Sequence, residues 1–301
     1  MPSISVIIPT YNHAKYLNRA LNSVKNQTYT DWEAIIIDNY SNDETEDIVK
    51  TFLLDKRFKY VKIYNNGIIA KSRNHGILLA KSKWISFLDS DDWWDLNKLK
   101  IASRYLKDNF DVIYHPLEIK KNKNISLIKN LISNKNIKTS IHYKLLFYGN
   151  LIANSSVIIN KSIIYKVNFI NENKCMVGAE DYNLLLKISK ISNKFHFINN
   201  KLGYYELHQD GVSRKNMSHC HFFAIYEFLN DLKRAKKNKI ILNIVYIKAS
   251  FHKNNNNYKL ALKYAKICLF NFHFKFYFKT LYIILYCLFK ELYSKISKKI
   301  E

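Results

Sequence analysis

Trp84-Ile85-Ser86-Phe87-Leu88-Asp89-Ser90-Asp91-Asp92 passes from apolar to acidic within a single residue step. Residues 84–88 read as a short buried strand that runs directly into the acidic cluster. Three carboxylates within four positions repel one another unless a cation offsets them. Hard oxygen ligands of this kind favour Mg²⁺ or Mn²⁺, which also bridge phosphate oxygens. The same residues also make an ordinary solvated turn with a helix N-cap, because aspartate serves both. The neighbouring segments decide between the two.

Upstream, apolar runs alternate with helical stripes. Residues 3–8 form a short run rich in β-branched residues, followed by a turn at 9–12. Leu17, Ala20, Leu21 and Val24 then fall at the i, i+3, i+4, i+7 spacing of an amphipathic helix. Residues 32–37 form a second strand ending at Asp38. Ser41 with Glu44 has the spacing of a capping box, ahead of a stripe of Ile48, Val49, Phe52 and Leu53. Residues 58–64 are a third strand, and Ala70, Asn74, Ile77 and Leu78 mark the next helix. This β–α–β order with nearly continuous apolar strands predicts an α/β fold with a mostly parallel sheet covered on both faces. Ligands of such sheets sit outside the carboxyl ends of the strands. That rule gathers residues 9–12, 38–43, 65–71 and 89–92 into one site.

Downstream, residues 117–141 are Lys-, Asn- and Ile-rich with weak periodicity and read as a surface hairpin or insertion. Residues 155–159 resume a strand, and 181–191 a helix with Leu184, Leu185 and Ile188 on one face. From about Met217 the pattern is helical to the end, with a polar break at 254–257. The expected organisation is an α/β domain over 1–215, with halves 1–110 and 111–215, and an α-helical C-terminal extension over 216–301.

The chain has 301 residues and a formal net charge of +24. It is rich in Lys, Asn, Ile, Tyr and Phe, the usage of an AT-biased genome. Arginine stands only at positions 19, 57, 73, 104, 214 and 234. A nucleic-acid binder relies on Arg for bidentate contacts, so nucleic acid is not the expected partner. The charge suits anionic partners generally, a nucleotide diphosphate and an acidic lipid surface among them. Cys175, Cys220, Cys268 and Cys287 form no zinc spacing and read as reduced thiols. The start at Met1-Pro2-Ser3-Ile4 lacks the pattern of a signal peptide, so a cytoplasmic location is expected.

With these segments in place, the sequence resembles family 2 glycosyltransferases of the GT-A fold. The resemblance is carried by Ser5-Val6-Ile7-Ile8-Pro9-Thr10-Tyr11-Asn12, Asn26-Gln27-Thr28, and Ile36-Ile37-Asp38-Asn39-Tyr40-Ser41-Asn42-Asp43-Glu44-Thr45. Asn66-Gly67, Ser72-Arg73-Asn74-His75-Gly76 and Phe87-Leu88-Asp89-Ser90-Asp91-Asp92 continue it. It is dense over residues 3–110 and sparse over 150–215.

The resemblance implies a role for each matching residue. Thr10 and Tyr11 line a nucleotide pocket, flanked by Pro9 and Asn12, and Asp38 accepts the imide hydrogen of a uracil-type base. Lys71 and Arg73 flank base and diphosphate. Asp89 and Ser90 face the ribose and sugar, while Asp91 binds a divalent metal, Mn²⁺ or Mg²⁺. Asn39 departs from the family, where a second acid is common. An amide still accepts a hydrogen bond but brings no charge, which loosens the preference for uridine.

Gly178-Ala179-Glu180-Asp181 opens the Leu-rich helix. Its carboxylates serve either as a catalytic base or as complements to the helix dipole. Chemistry alone leaves these level; the resemblance implies Asp181 as base and Glu180 as a substrate-positioning group. His208, in Tyr205-Glu206-Leu207-His208-Gln209-Asp210-Gly211-Val212-Ser213, resembles the family histidine that joins the metal or diphosphate. His13 and His75 are given no role, and His196 reads as an alternating strand residue. Trp93 and Trp94 are assigned to structure or to an acceptor rim. Gly67, Gly76, Gly178 and Gly211 fall in site loops, where close backbone approach or ordinary turns explain them.

Toward the C-terminus, Lys259, Lys263 and Lys266 line one helix face. Residues 276–289 are apolar apart from Lys279 and Thr280, shorter than the roughly 18–20 residues of a spanning helix. They read as an amphipathic helix on an anionic membrane surface, or as a hairpin packed on the catalytic domain. The resulting expectation is an inverting glycosyltransferase moving a sugar from a UDP-linked donor to a glycan or lipid-linked acceptor. Two alternatives are a sugar-nucleotide nucleotidyltransferase and a non-catalytic basic nucleotide- or nucleic-acid-binding protein. The first expects a Gly-rich loop where Pro9-Thr10-Tyr11-Asn12 stands, and the second gives no reason for carboxylates at successive strand ends.

Overall fold

The structure, a computed structural model, describes residues 1–121, 140–208, 211, 215–270 and 274–300. The chain divides into two compact units. The first comprises Met1–Leu145 with Asn150–Gln209, and the second Leu146–Gly149 with Asp210–Glu301.

The first unit begins with β1 (Ile4–Thr10), α1 (Ala14–Lys25), β2 (Trp32–Asp38), α2 (Thr45–Phe52), β3 (Phe58–Lys62), α3 (Ile69–Leu79) and β4 (Trp84–Phe87). Next come β5 (Trp93–Trp94), α4 (Lys98–Ser103), β6 (Val112–Tyr114), β7 (Glu118–Lys121) and α5 (Ile141–Tyr148), whose end belongs to the second unit. A 3₁₀ turn at Asn154–Ser156, β8 (Ile158–Asn160), α6 (Lys161–Lys166), α7 (Glu180–Ile191), β9 (Phe195–Phe197) and β10 (Gly203–Leu207) complete it.

Seven strands form the main sheet in the order β3-β2-β1-β4-β8-β6-β9. It is parallel except where β8 runs antiparallel to β4 and β6. All seven residues of β1 and of β2 are buried, as befits parallel strands covered on both faces. Thr10 pairs with Asp38, so the loops after β1 and β2 leave the sheet at one level. Gly76 lets α3 approach β1: a Cβ there would lie 2.6 Å from Cγ2 of Ile7. A second sheet, β5-β10-β7, lies beyond the acidic turn.

The expected strands and helices occur with shifted ends, and several readings need correction. α2 has no capping box. The Ser41 hydroxyl is drawn to Asp38, Glu44 makes no capping side-chain bond, and Asp43 Oδ1 accepts the Thr45 N–H instead. Leu53 and Leu78, assigned to buried stripes, are exposed; Leu53 lies just past the end of α2, and Leu78 on the outward side of the last turn of α3. The strand expected at 155–159 is a 3₁₀ turn up to Ser156. Ser155 has its polar groups engaged by the acidic turn and by Lys98 and Trp94, outside the strand ladder. The insertion expected over 117–141 opens as β7 and otherwise falls mainly on 122–139, outside the described residues. His196 does lie in a strand, with its ring against Tyr105 and Phe110.

Among its described residues the second unit is helical: α8 (Ser218–Leu229), α9 (Arg234–Asn254), α10 (Tyr258–Phe270) and α11 (Phe274–Ile300). The polar break at 254–257 separates α9 from α10. Ala249, Ala261 and Ala265 let the last three helices close around Leu262, Ile283, Ile284 and Cys287. No helix of the described residues is long and apolar enough to cross a membrane.

Candidate active site

The loops after β1 and β2 are stitched together by side chains. The Asn12 N–H donates to Ser41 Oγ (2.8 Å), and the Asn42 N–H donates back to Asn12 Oδ1 (2.9 Å). Beneath them Asp38 is fully buried. Its Oδ1 accepts from the N–H and hydroxyl of Ser41, and its Oδ2 from the Tyr60 hydroxyl at 2.6 Å. Burial, and then the Asp38 charge, push the Tyr60 pKa above its ordinary value. Asp38 therefore holds the loop after β2 from below. Asn39 fastens the next loop, its Oδ1 accepting the Asn65 N–H at 2.8 Å.

Pro9 and Thr10 end β1, with Thr10 buried and its Oγ1 lacking a hydrogen-bond partner among the described residues. Tyr11 is exposed. Asn12, Tyr40 and Asn66, one in each loop, hold φ values of 50°, 53° and 55°. This is left-handed backbone that non-glycine residues adopt at a cost, and such strain gathers at functional loops. Tyr40 stacks on Tyr64 with ring centroids 3.9 Å apart. Lys71 lies half-buried on the first turn of α3.

The acidic turn is held from several sides. The Asp89 N–H donates to Ser155 Oγ (3.1 Å), and Asp89 Oδ1 accepts from Asn154 (3.0 Å) and Arg73 (2.7 Å). Ser90 Oγ meets His13 Nδ1 at 2.8 Å. Asp91 Oδ2 lies 2.8 Å from Nε2 of His208, delivered by the end of β10. Nδ1 of His208 is buried and has no partner among the described residues. The imidazole packs against Tyr16, centroids 4.7 Å apart. Asp92 is buried, accepting from the Ser155 hydroxyl (2.5 Å) and the Glu206 N–H (3.1 Å). Burial first, then the charges of Asp91 and Asp89, push its pKa well above the ordinary carboxylate range.

Arg73 connects this turn to α7. Its guanidinium is buried between Asp89 and Glu180 and donates to both. Burial pulls its pKa down, but Asp89, Glu180 and Asp181 outweigh that and hold it above its ordinary value. Arg73 thus acts as an internal strut between the acidic turn and α7. Glu180 is likewise committed, its other oxygen accepting the Gly178 N–H at 2.6 Å. Asp181 is only half-buried and accepts from Asn150 Nδ2 at 3.2 Å. Burial, Glu180 and Asp89 raise its pKa against the opposing pull of Arg73, to about 7. A pKa in that range suits proton exchange near neutral pH.

Several residues here escaped the sequence reading. His13 touches the turn, and only its position beside Asn12 could have signalled it. Arg19 pairs with Glu206 (2.9 Å), donates to the Asp91 carbonyl (3.0 Å) and lies 3.6 Å over the Trp93 ring. Trp93 stacks on Tyr204 at the rim, while Trp94 is core. Ser155 links Asp89 to Asp92, and nothing in its local sequence announces that. Lys98 is fully buried, with Nζ 3.2 Å from the centre of the Trp94 ring, and burial pulls its pKa well down. Residues 209, 210, 212 and 213 of the segment quoted around His208 lie outside the described residues.

Among the described residues no group of three or more His, Cys, Asp or Glu gathers as a metal site. The donors that do meet are one carboxylate and one imidazole, a pair that suits Mn²⁺ with remaining positions left to phosphate and water oxygens.

Known proteins share this fold. The family model for glycosyl transferase family 2 matches residues 5–166. Poly(ribitol-phosphate) beta-N-acetylglucosaminyltransferase TarP of Staphylococcus aureus (strain N315) is 42% identical over 113 residues, 36% of this chain and 34% of that protein. The chain thus spans about a third of that relative's length. Among solved structures, S. aureus TarS 1–349 in complex with UDP-GlcNAc is similar with a TM-score of 0.64 and 21% identity, over 89% of this chain and 81% of that one. The mannosyltransferase PcManGT of Pyrobaculum calidifontis, in complex with GDP-Man and Mn²⁺, matches with a TM-score of 0.60 and 16% identity, over 98% of this chain and 88% of that one. The two structures establish the GT-A fold.

Proposed function

The chain belongs to glycosyl transferase family 2, and on that premise we propose that it transfers a sugar, with inversion, from a UDP-linked donor to a hydroxyl of a glycan or lipid-linked acceptor. One observation carries the reading. Arg73 ties Asp89 of the acidic turn to Glu180, which sets Asp181, the carboxyl with a pKa of about 7, in the same site. A donor-binding turn and a base are then held in one frame.

In this reading the loops after β1, β2 and β3 receive the nucleotide, with Tyr11 and Thr10 beside it and Asp38 and Asn39 holding the loops in shape. Asp91 and His208 would hold a divalent metal, which when bound offsets the charge on the leaving diphosphate. Asp181 takes the acceptor hydroxyl proton as that oxygen attacks the anomeric carbon. The bond from that carbon to the diphosphate oxygen breaks, and the nucleoside diphosphate leaves with the bonding electrons. Glu180 orients the site through Arg73. The TarP match supports transfer of a sugar to a hydroxyl-bearing polymer, since TarP is by name an N-acetylglucosaminyltransferase acting on poly(ribitol-phosphate).

Thermal unfolding with a panel of nucleotides and nucleotide-sugars, with and without Mn²⁺, tests the proposal. A ligand at about 100 times its Kd stabilises the folded state by about 2.7 kcal/mol, and UDP-sugars with Mn²⁺ are expected to do so. If no nucleotide shifts melting in Mn²⁺, the proposal fails.

A further inference from the structure

Helix α11 carries a surface that the transfer reaction does not use. Tyr282, Leu285, Phe289 and Leu292 recur at spacings of three and four, so they share one face. They are 57%, 59%, 64% and 59% exposed, with Leu288 beside them at 49%. The opposite face supplies Ile283, Ile284 and Cys287 to the core of the second unit. The helix therefore satisfies its packing with one side and turns a run of large apolar groups toward water on the other. Exposed runs of this kind mark interaction surfaces.

Cations accompany the stripe. Lys253 Nζ lies 5.2 Å from the ring centre of Tyr282 and 5.3 Å from that of Tyr286, and Lys290 Nζ lies 5.9 Å from the latter. Over residues 258–300 the sequence holds nine lysines and a single acid, Glu291. An apolar, aromatic stripe flanked by lysines matches the boundary between acyl chains and anionic headgroups.

We propose that this face of α11 lies on an anionic lipid surface, with Tyr282, Leu285, Phe289 and Leu292 in the boundary and Lys253 and Lys290 at headgroup phosphates. The three–four spacing would also suit a second copy of the helix. Lys279 and Lys295 then fall at the flanking positions with no acid there. Two copies would gain no ion pair across the seam, and the charge favours lipid. An uncharged surface would leave the lysines without partners.

The test is co-sedimentation of the full chain with vesicles of phosphatidylcholine alone, or with about one third phosphatidylglycerol. Partition onto the anionic vesicles should be at least tenfold stronger and should weaken in about 0.5 M salt, since each lysine contributes several-fold near such a surface. Leu285→Glu with Phe289→Glu should lower it at least tenfold while helical circular dichroism and melting stay unchanged. Should that variant misfold, Lys253→Gln with Lys290→Gln must weaken anionic binding several-fold and leave phosphatidylcholine binding unchanged. Equal partition onto both vesicles overturns the proposal, as does no binding to either or a well-folded variant that binds like the parent. A concentration-dependent dimer lost in the glutamate variant would assign the face to a second copy instead.

Discussion

Asp181→Asn should stabilise the fold at alkaline pH while it abolishes transfer. The folded protein keeps the Asp181 proton up to about pH 7, against an ordinary value of 3.8. The unfolded chain releases it near that ordinary value. Between these limits the folded state binds more protons than the unfolded state, so stability falls as pH rises through the window. The loss is absent below about pH 4 and complete above pH 7. A separation of this size corresponds to about 4 kcal/mol as an upper bound, because Asp181 is half-buried and water softens the penalty. Asparagine preserves the shape and can still accept from Asn150, but never ionises. Its advantage should therefore grow by about 2–3 kcal/mol between pH 5 and pH 8, roughly 5–10 °C in melting temperature for a domain of this size. Thermal unfolding of both proteins across that range, with turnover measured in parallel, is the assay. A variant that melts lower than the parent at pH 8, or whose offset does not change with pH, would refute the argument.

Other consequences are equally concrete. For the parent enzyme, kcat/KM should climb about tenfold per pH unit up to about 7 and then level off, as expected of a base that must be ionised; a flat profile from pH 5 to 8 would count against Asp181. His208→Ala should raise the Mn²⁺ concentration needed for half-maximal turnover at least tenfold, read by metal titration, since it removes one of two meeting donors. Arg73→Met strands Asp89 and Glu180 without their cation and should cost about 3–5 kcal/mol in urea unfolding. Gly76→Ala should destabilise by about 1–3 kcal/mol in the same assay, because the new methyl meets Ile7 at 2.6 Å and overpacking outweighs the helix-propensity gain.

The sheet was legible because its strands are nearly continuous apolar runs that stop at marked residues: Thr10, Asp38 and Asp89 stand at or just past the ends of β1, β2 and β4. The α1 stripe was legible for the same reason, since all four of its assigned residues are buried. Ser41 misled because a hydroxyl can serve either a helix or a neighbouring carboxylate, and Asp38 lies three residues away. The bridge from Arg73 to Glu180 was not legible because the two lie 107 residues apart, and a buried ion pair leaves no local pattern. The pairing of His208 with Asp91 came through family resemblance alone, and His13 had no such help. Asp92 looked like a third equal of the acidic cluster, yet burial sets it apart as a brace.

The acidic turn owes little to its own neighbourhood in sequence. Asp89 and Asp92 reach Ser155 across 66 and 63 residues, Asp92 reaches Glu206 across 114, and Asp91 meets His208 across 117. Contacts of that separation form late, because long loops must close before they are rewarded. During synthesis the strands of the amino-terminal half can therefore pair while the turn still lacks its braces. Completion of the site awaits β10, so on the proposed function catalytic competence would be acquired near the end of assembly of the first unit. Its appearance in a refolding experiment should lag behind the burial of Trp32 and Trp84 in the sheet.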